Sequence, residues 1–505
     1  MNRPSWWSSG DWNAFFALLL DNVVNLVLLG GLLSGAYGMP LDFVMGRMIP
    51  GTALGVLLGD LAYSWLAIRK GAGSTAMPLG LDTPSTIGVA MAVIGPVFLE
   101  TRDAQTAWQV GMATLFCMGV VKTLLSFVGD RIARVVPTAG LLGPLAGVGL
   151  ALLGLFPMVR IFSEPVAGLA ALGLVLFALV AGFRLPGRFP GALAAVIVGT
   201  LIHLGFVAFG LRPSGEGPAL SLGLHWPLPR LGDLWEGLPR ALDFLPVSIP
   251  FGLLTIVGGI DVTASAREAG DSYRTRDILL VEALATLVAA VFGGVAQSTP
   301  YIGHPAYKAM GARSGYTLAT GLVVGVGACV GLLGAVVGVL PEVAVAPILL
   351  FVGLEVTGQA FRQSPRSHWP AVGVSILPSL AYLVMVHAGQ LLAAGVQAPP
   401  SLADSLRVME LLGRGFILTA MLWGSAVVFL VERRPGALVL TFLVLSAFSL
   451  FGVIHSTDPA GGLTVPWGPG SGVSRELAVA YLLAGGMLAG LLAREKRAVP
   501  PRTAD

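Results

Sequence analysis

Long apolar runs separated by short polar connections recur along this 505-residue chain. Runs long enough to cross a hydrocarbon layer, about 20 residues, are predicted at 12–36, 46–68, 76–99, 104–128, 138–158, 162–182 and 189–210. A polar, proline-rich connection at 211–240 follows, holding Glu216, Trp226, Asp233 and Trp235, and reads as an interfacial loop. A second set lies at 242–264, 277–296, 298–311, 315–340, 343–361, 369–392 and 411–431, with two additional runs near 436–454 and 476–493. Seven spans per set turn the second upside down relative to the first, the condition for an inverted repeat. The expected fold is an all-α polytopic membrane protein.

The third run of each set is interrupted. The first interruption runs from Pro78 through Leu79, Gly80, Leu81, Asp82, Thr83, Pro84, Ser85 and Thr86 to Ile87 and Gly88; the second runs from Gln297 through Ser298, Thr299, Pro300, Tyr301, Ile302 and Gly303 to His304 and Pro305. Both carry Thr-Pro followed by Ile-Gly. Proline lacks an N–H and suits the first helical position, so Thr83 and Thr299 read as N-caps, with Pro84 and Pro300 opening half-helices. Each piece is expected to be an extended strand turning into a half-helix, and the two strands could partly satisfy each other. Non-helical backbone at membrane depth is tolerated where protein buries it or where it lines a cavity. In inverted repeats the half-helix N-termini converge and offer partial positive charge to an acceptor-rich or anionic solute. A proline kink explains one such piece as well as a site does; two related pieces at matching positions favour the site.

Composition supports the membrane reading: 55% of residues are hydrophobic and 11% charged, with mean hydropathy +0.83. The 68 glycines suit close helix packing in lipid. Cys117 and Cys329 lie far apart in apolar runs, which suggests neither a disulfide framework nor a thiolate metal site. The net charge of +3 marks loops facing the cytoplasm rather than nucleic-acid binding. The N-terminus lacks the order of a cleaved signal peptide. With it inside, Arg69, Lys70, Arg131, Arg134, Arg184, Arg188, Arg267, Arg274, Arg276, Lys308, Arg313, Arg362, Arg366, Arg433, Arg434 and the tail Arg494 to Arg502 fall on the cytoplasmic side. That places a multi-pass protein in the cell membrane with both termini cytoplasmic.

Ionisable groups within spans are costly and are read as functional or paired. Asp21 and Asn25 share a face of the first span, with Asn22 beside them. Asp60 and Lys122 are expected to pair. Asp82, Thr83, Ser85 and Thr86 on the first interruption, Thr255 on the eighth segment, and Gln297, Ser298, Thr299, Tyr301 and His304 on the second interruption form the expected substrate site. Asp82, His304, Asp21 and Asp261 are the proton-coupling candidates.

These residues carry a resemblance. Pro78 to Ser85, the eighth segment into Asp261, Val262 and Thr263, Gly293 to Tyr301, and Ala346 to Gly353 leading towards His368 resemble the nucleobase transporters: the uracil/xanthine permeases and, more closely, the adenine/guanine/hypoxanthine permeases. The resemblance covers most of residues 12–432. It implies a core domain moving against a gate domain, with core at 12–128 and 242–340 and gate at 138–210 and 343–432 of repeats 1–210 and 241–432. The two additional helices fall in 433–494, and a basic tail in 495–505. It also implies nucleobase uptake with H+ or Na+. The chain departs from the family at Thr255, where members carry an acid, and at Gly303, where they carry a glutamate; His304 adjoins the latter.

The sequence therefore predicts a secondary permease for a nucleobase-like solute, with transport of small anions, as in the sulfate-transporter relatives, as the alternative. A channel or membrane enzyme is the remote reading. No zinc-helix, nucleophile-elbow or phosphate-loop pattern is present, so no enzyme activity, cofactor or metal is expected. The reading leaves room for a homodimer.

Overall fold

The computed structural model describes the chain except residues 1–5, 72, 129–134, 184, 187–190, 213–222, 302, 334, 336–339, 394, 397–398, 459–462, 469–470 and 499–505, and except the side chains of 35–36, 246, 250, 390, 393 and 496–498. Arg131, Arg134, Arg184, Arg188, Glu216, Ile302 and Arg502 therefore lie outside the described residues.

Each predicted run has its element. The first set comprises α1 (Gly10–Gly30), α2 (Ile49–Lys70), strand β1 (Leu79–Leu81), α3 (Thr83–Val89), α4 (Ala104–Ser126), α5 (Thr138–Leu150), α6 (Pro165–Val175) and α7 (Gly191–Ala208). Helix α3 continues through a π turn into Gly95–Thr101, so that the apolar stretch Thr83–Thr101 is 19 residues long. The polar connection holds a helix, α8 (Leu231–Ala241). The second set is α9 (Leu245–Glu268), α10 (Thr275–Val291), strand β2 (Ser298–Pro300), α11 (His304–Ala309), α12 (Gly315–Cys329), α13 (Glu342–Gln363), α14 (Trp369–Ala393), α15 (Pro400–Gly413) and α16 (Phe416–Val431). The pair α17 (Pro435–Leu450) and α18 (Gly472–Ala498) follows.

Ten helices among the described residues are long and apolar enough to cross a membrane, or eleven when α15 and α16, bent by 75°, count as one. Leu483 and Met487 of α18 present bare apolar surface, as expected of a helix facing lipid. This is a multi-pass membrane protein.

Local chemistry fixes the element ends. Asp103 caps α4 by accepting from the N–H groups of Gln105 and Thr106, and the Thr106 hydroxyl beside it holds its carboxyl below the usual carboxylate range. Helix α2 stops at Gly71, whose φ of +115° suits glycine.

The expectation of a loop at 211–240 is corrected by α8. Its Leu234, Gly237 and Ala241 are buried, while Asp233 accepts from Gln105 and Gln109 of α4 at 2.7 and 3.0 Å. Pro239 and the polar residues hid this helix, because only one face of it is apolar towards α4.

Two compact units emerge: residues 1–132 with 153–352, and residues 133–152 with 353–505. The first contains both interruptions. Within it α2 and α4 both pack on α10, α9 packs on α4, and α12 packs on α2. In the second, α14, α16 and α5 pack together and α17 pairs with α18. There His455 donates from Nδ1 to Leu411 O at 2.9 Å, and its Nε2 pairs with the Tyr481 hydroxyl at 2.8 Å.

Candidate functional site

The two interruptions form one antiparallel pair. Leu79 faces Pro300, Gly80 faces Thr299 and Leu81 faces Ser298. The ladder extends at both ends: Tyr301 N–H donates to Pro78 O at 2.8 Å and Asp82 N–H to Gln297 O at 2.9 Å. Asn22 of α1 accepts from the edge N–H of Leu81 at 3.1 Å. Unhelical backbone within the apolar layer is thus satisfied by itself, as burial requires. Gly80 lets the Asp21 carboxylate approach the strand closely: a Cβ there would stand 2.9 Å from Asp21 Oδ2.

At the exit of β1, Asp82 turns the chain into α3. Its Oδ2 accepts from Ser85 N–H at 3.0 Å and from Gln297 Nε2 at 3.2 Å, and its carbonyl accepts from the Thr86 hydroxyl at 2.8 Å. The N-cap is therefore Asp82, one residue before the expected Thr83, which becomes the first helical residue. A carboxylate outcompetes a threonine hydroxyl here because Gln297 and Ser85 both donate to it. The second expected cap is also corrected. Thr299 and Pro300 stay in strand β2, and helix α11 starts at His304 with Gly303 as its N-cap. The pairing of Thr299 with Gly80 keeps that residue extended.

Behind β2 sits a closed ion pair. Lys122 Nζ lies 2.7 Å from Glu282 Oε1, both side chains 0% exposed. The same ammonium donates to Ser298 O at 2.9 Å, Thr286 Oγ1 at 3.1 Å and Gln297 Oε1 at 3.3 Å. The sequence pairing of Lys122 with Asp60 is overturned: α10 packs against both α2 and α4, so Glu282 on α10 reaches Lys122. Asp60 is fully buried, its carboxylate turned towards the Leu79 N–H without closing a hydrogen bond of good geometry. Glu282 carries no periodic or motif signal of its own; in the sequence it is a lone acid in an apolar run, as Asp60 is.

The structure brings Asp21, Asp82, Thr83, Ser85, Thr86, Gln297, Ser298 and Thr299 to the strand crossover, with Thr255 facing Glu282 behind it. The Ser298 hydroxyl is buried with no partner among the described residues. Thr299 and Tyr301 are half-buried. Asp261 is half-buried on the α9 face that carries Gly258, turned away from Thr255.

His304 does not join this group. Its Nε2 lies 3.0 Å from Asp271 Oδ2, which also takes Lys308 Nζ at 2.8 Å. Asp271 sits in the turn between α9 and α10. There Tyr273 donates to Thr75 O at 2.6 Å, Thr75 to Ala312 O at 2.8 Å, and Lys70 lies over the Tyr273 ring while donating to Ser272 O. Burial and the Asp271 charge push the Tyr273 hydroxyl well up from its ordinary value. His304 is the first residue of α11, and its ring meets the turn that carries Asp271. No group of three or more metal-ligating side chains occurs among the described residues.

No protein-family model and no curated protein sequence matches the chain. Solved structures do. The transmembrane domain of a cyanobacterium bicarbonate transporter, BicA, matches at 17% identity over 76% of this chain and 96% of that one, with a TM-score of 0.48. The overall structure of SLC26A9 matches at 15% identity over 75% of this chain and 65% of its own length, with a TM-score of 0.51. Murine solute carrier 26 family member A9, an anion transporter in the inward-facing state, matches at 12% identity over 77% of this chain and 68% of that one, with a TM-score of 0.52. The fold is that of the inverted seven-plus-seven membrane transporters. The fold implied by the sequence resemblance is thereby supported, while its nucleobase specificity has no counterpart in these three structures.

Proposed function

We propose that this protein is a secondary transporter that moves a small anion across the membrane by alternating access, accompanied by H+ or Na+. The observation that carries the reading is the crossover itself. Two interrupted segments meet in an antiparallel pair, with Asp21 and Asp82 beside it, and the further carboxylate behind it, Glu282, is paired with Lys122 at 2.7 Å. The acids that nucleobase permeases carry at the positions of Thr255 and Gly303 are replaced by a hydroxyl and a bare backbone, which removes repulsion towards an anion. The Gln297 amide is held at both ends, by Lys122 and by Asp82, which weakens it as a recognition edge for a heterocycle. The fold likeness to the SLC26A9 anion transporter supports the same direction.

In this reading Thr83, Ser85, Thr86, Thr255, Gln297, Ser298, Thr299 and Tyr301 surround the solute, and Asp21 and Asp82 carry the coupling charge, with Asp261 at its approach. His304 braces α11 through Asp271. The test is a thermal-shift screen of purified protein against bicarbonate, chloride, sulfate, fumarate, uracil and hypoxanthine, since a native-state ligand raises apparent stability. An upward shift with one or more anions and none with nucleobases is expected; a shift confined to uracil or hypoxanthine contradicts the anion reading and restores the nucleobase one.

A further inference from the structure

Glu282 comes from the ninth segment, yet it stands where the eighth is short of an acid. Its carboxylate faces the Thr255 hydroxyl and presses on α9 at Gly259, where a Cβ would lie 3.0 Å from Oε2. Its ion-pair partner among the described residues is Lys122. The lysine ammonium has three N–H groups and four acceptors around it: Glu282, Ser298 O, Thr286 and Gln297. It has no donor left for a solute, so it acts on the crossover through charge and through the groups it holds.

Removing one member of a buried pair leaves the other charge uncompensated in a medium of low dielectric, where it is felt over several ångströms. Lys122 is tied by Gln297 to Asp82 as well, so its charge is shared between Glu282 and the cap of α3.

We infer that Lys122 is a selectivity-determining residue that acts through Glu282: by cancelling a carboxylate delivered from the ninth segment, it makes the crossover accept an anion. This inference rests on the anion reading above. With the lysine charge absent, Glu282 adds its repulsion of an anion to that of the crossover's own acids, Asp21 and Asp82; with both Lys122 and Glu282 neutral, the repulsion from Glu282 is gone, although the bonds to Gln297 and Ser298 are not restored.

The experiment compares uptake of radiolabelled bicarbonate and sulfate into proteoliposomes carrying the parent, Lys122→Met, Glu282→Gln, and the double variant Lys122→Met/Glu282→Gln. Folding is checked by thermal melting and size exclusion. Lys122→Met is expected to raise KM for the transported anion roughly tenfold or more. The double variant is expected to recover most of that KM while its maximal rate stays below the parent's, because methionine cannot position Gln297. A purely bracing lysine would leave the double variant as impaired in KM as the single one, and that result overturns the inference, as does a parental KM in Lys122→Met. Should Lys122→Met not fold, Glu282→Gln decides: an unopposed lysine is expected to lower KM for the anion, and a raised KM overturns the inference. Absence of anion uptake by the parent overturns the functional reading itself and is thereby distinguishable.

Discussion

Replacing Asp82 by alanine removes the group on which the β1-to-α3 turn depends. The carboxylate accepts two hydrogen bonds, from Ser85 N–H at 3.0 Å and Gln297 Nε2 at 3.2 Å, and it is buried. Loss of an N-cap costs about 1 kcal/mol, and stranding a buried amide proton of Gln297 costs roughly another 1–3 kcal/mol. The sum, about 2–4 kcal/mol, falls on the crossover rather than on the remote helices. Asn at the same position keeps a side-chain oxygen for Ser85 N–H and Gln297 while removing the charge and replacing the other oxygen by an NH2 group. The expected outcome is that Asp82→Ala lowers the melting temperature and abolishes uptake, whereas Asp82→Asn melts near the parent and is altered in uptake and its pH dependence. The assay is thermal melting in detergent paired with proteoliposome uptake of bicarbonate and sulfate. Equal melting and equal uptake in Asp82→Ala and parent would refute the assignment of Asp82 to the cap.

Three further outcomes are expected. Gly80→Ala, whose Cβ would stand 2.9 Å from Asp21 Oδ2, displaces the Asp21 carboxylate from the crossover and should lower uptake; uptake equal to the parent's would show that the carboxylate yields freely. His304→Ala should destabilise the protein without changing KM, because its partner is Asp271 and not the crossover; a changed KM with parental stability would return His304 to the solute site. Burial pushes the His455 imidazole down from its ordinary value of 6.5, although Leu411 O opposes the shift. The folded state then binds fewer protons than the unfolded one, so stability should fall as pH drops below about 6.5 and level off below the folded value, and a His455→Phe variant measured by pH-dependent melting should lose that component.

The sequence carried the segments well because lipid imposes a length and an apolar composition on every span. Each of the sixteen runs corresponds to a helix or to a strand and half-helix pair. That the two matched interruptions could satisfy each other as extended strands was legible in the sequence; the register, Gly80 against Thr299, was not. Caps were less legible: Thr-Pro marks a helix start equally well at either piece, yet Asp82 captures one and β2 delays the other to His304. Helices α8 and α15 were unread because their polar faces dilute the apolar signal. The partner of Lys122 was unreadable, since Asp60 and Glu282 are both lone acids in apolar helices, and only the packing of α10 against α4 decides between them.

Uptake by proteoliposomes is the measurement that bears most directly on the central claim. Purified protein in vesicles is presented with radiolabelled bicarbonate, chloride, sulfate and, in parallel, hypoxanthine and uracil. Saturable uptake of at least one anion, absent from empty vesicles and lost in Asp82→Ala, is the predicted result. Saturable uptake of a nucleobase with no anion transported would contradict it.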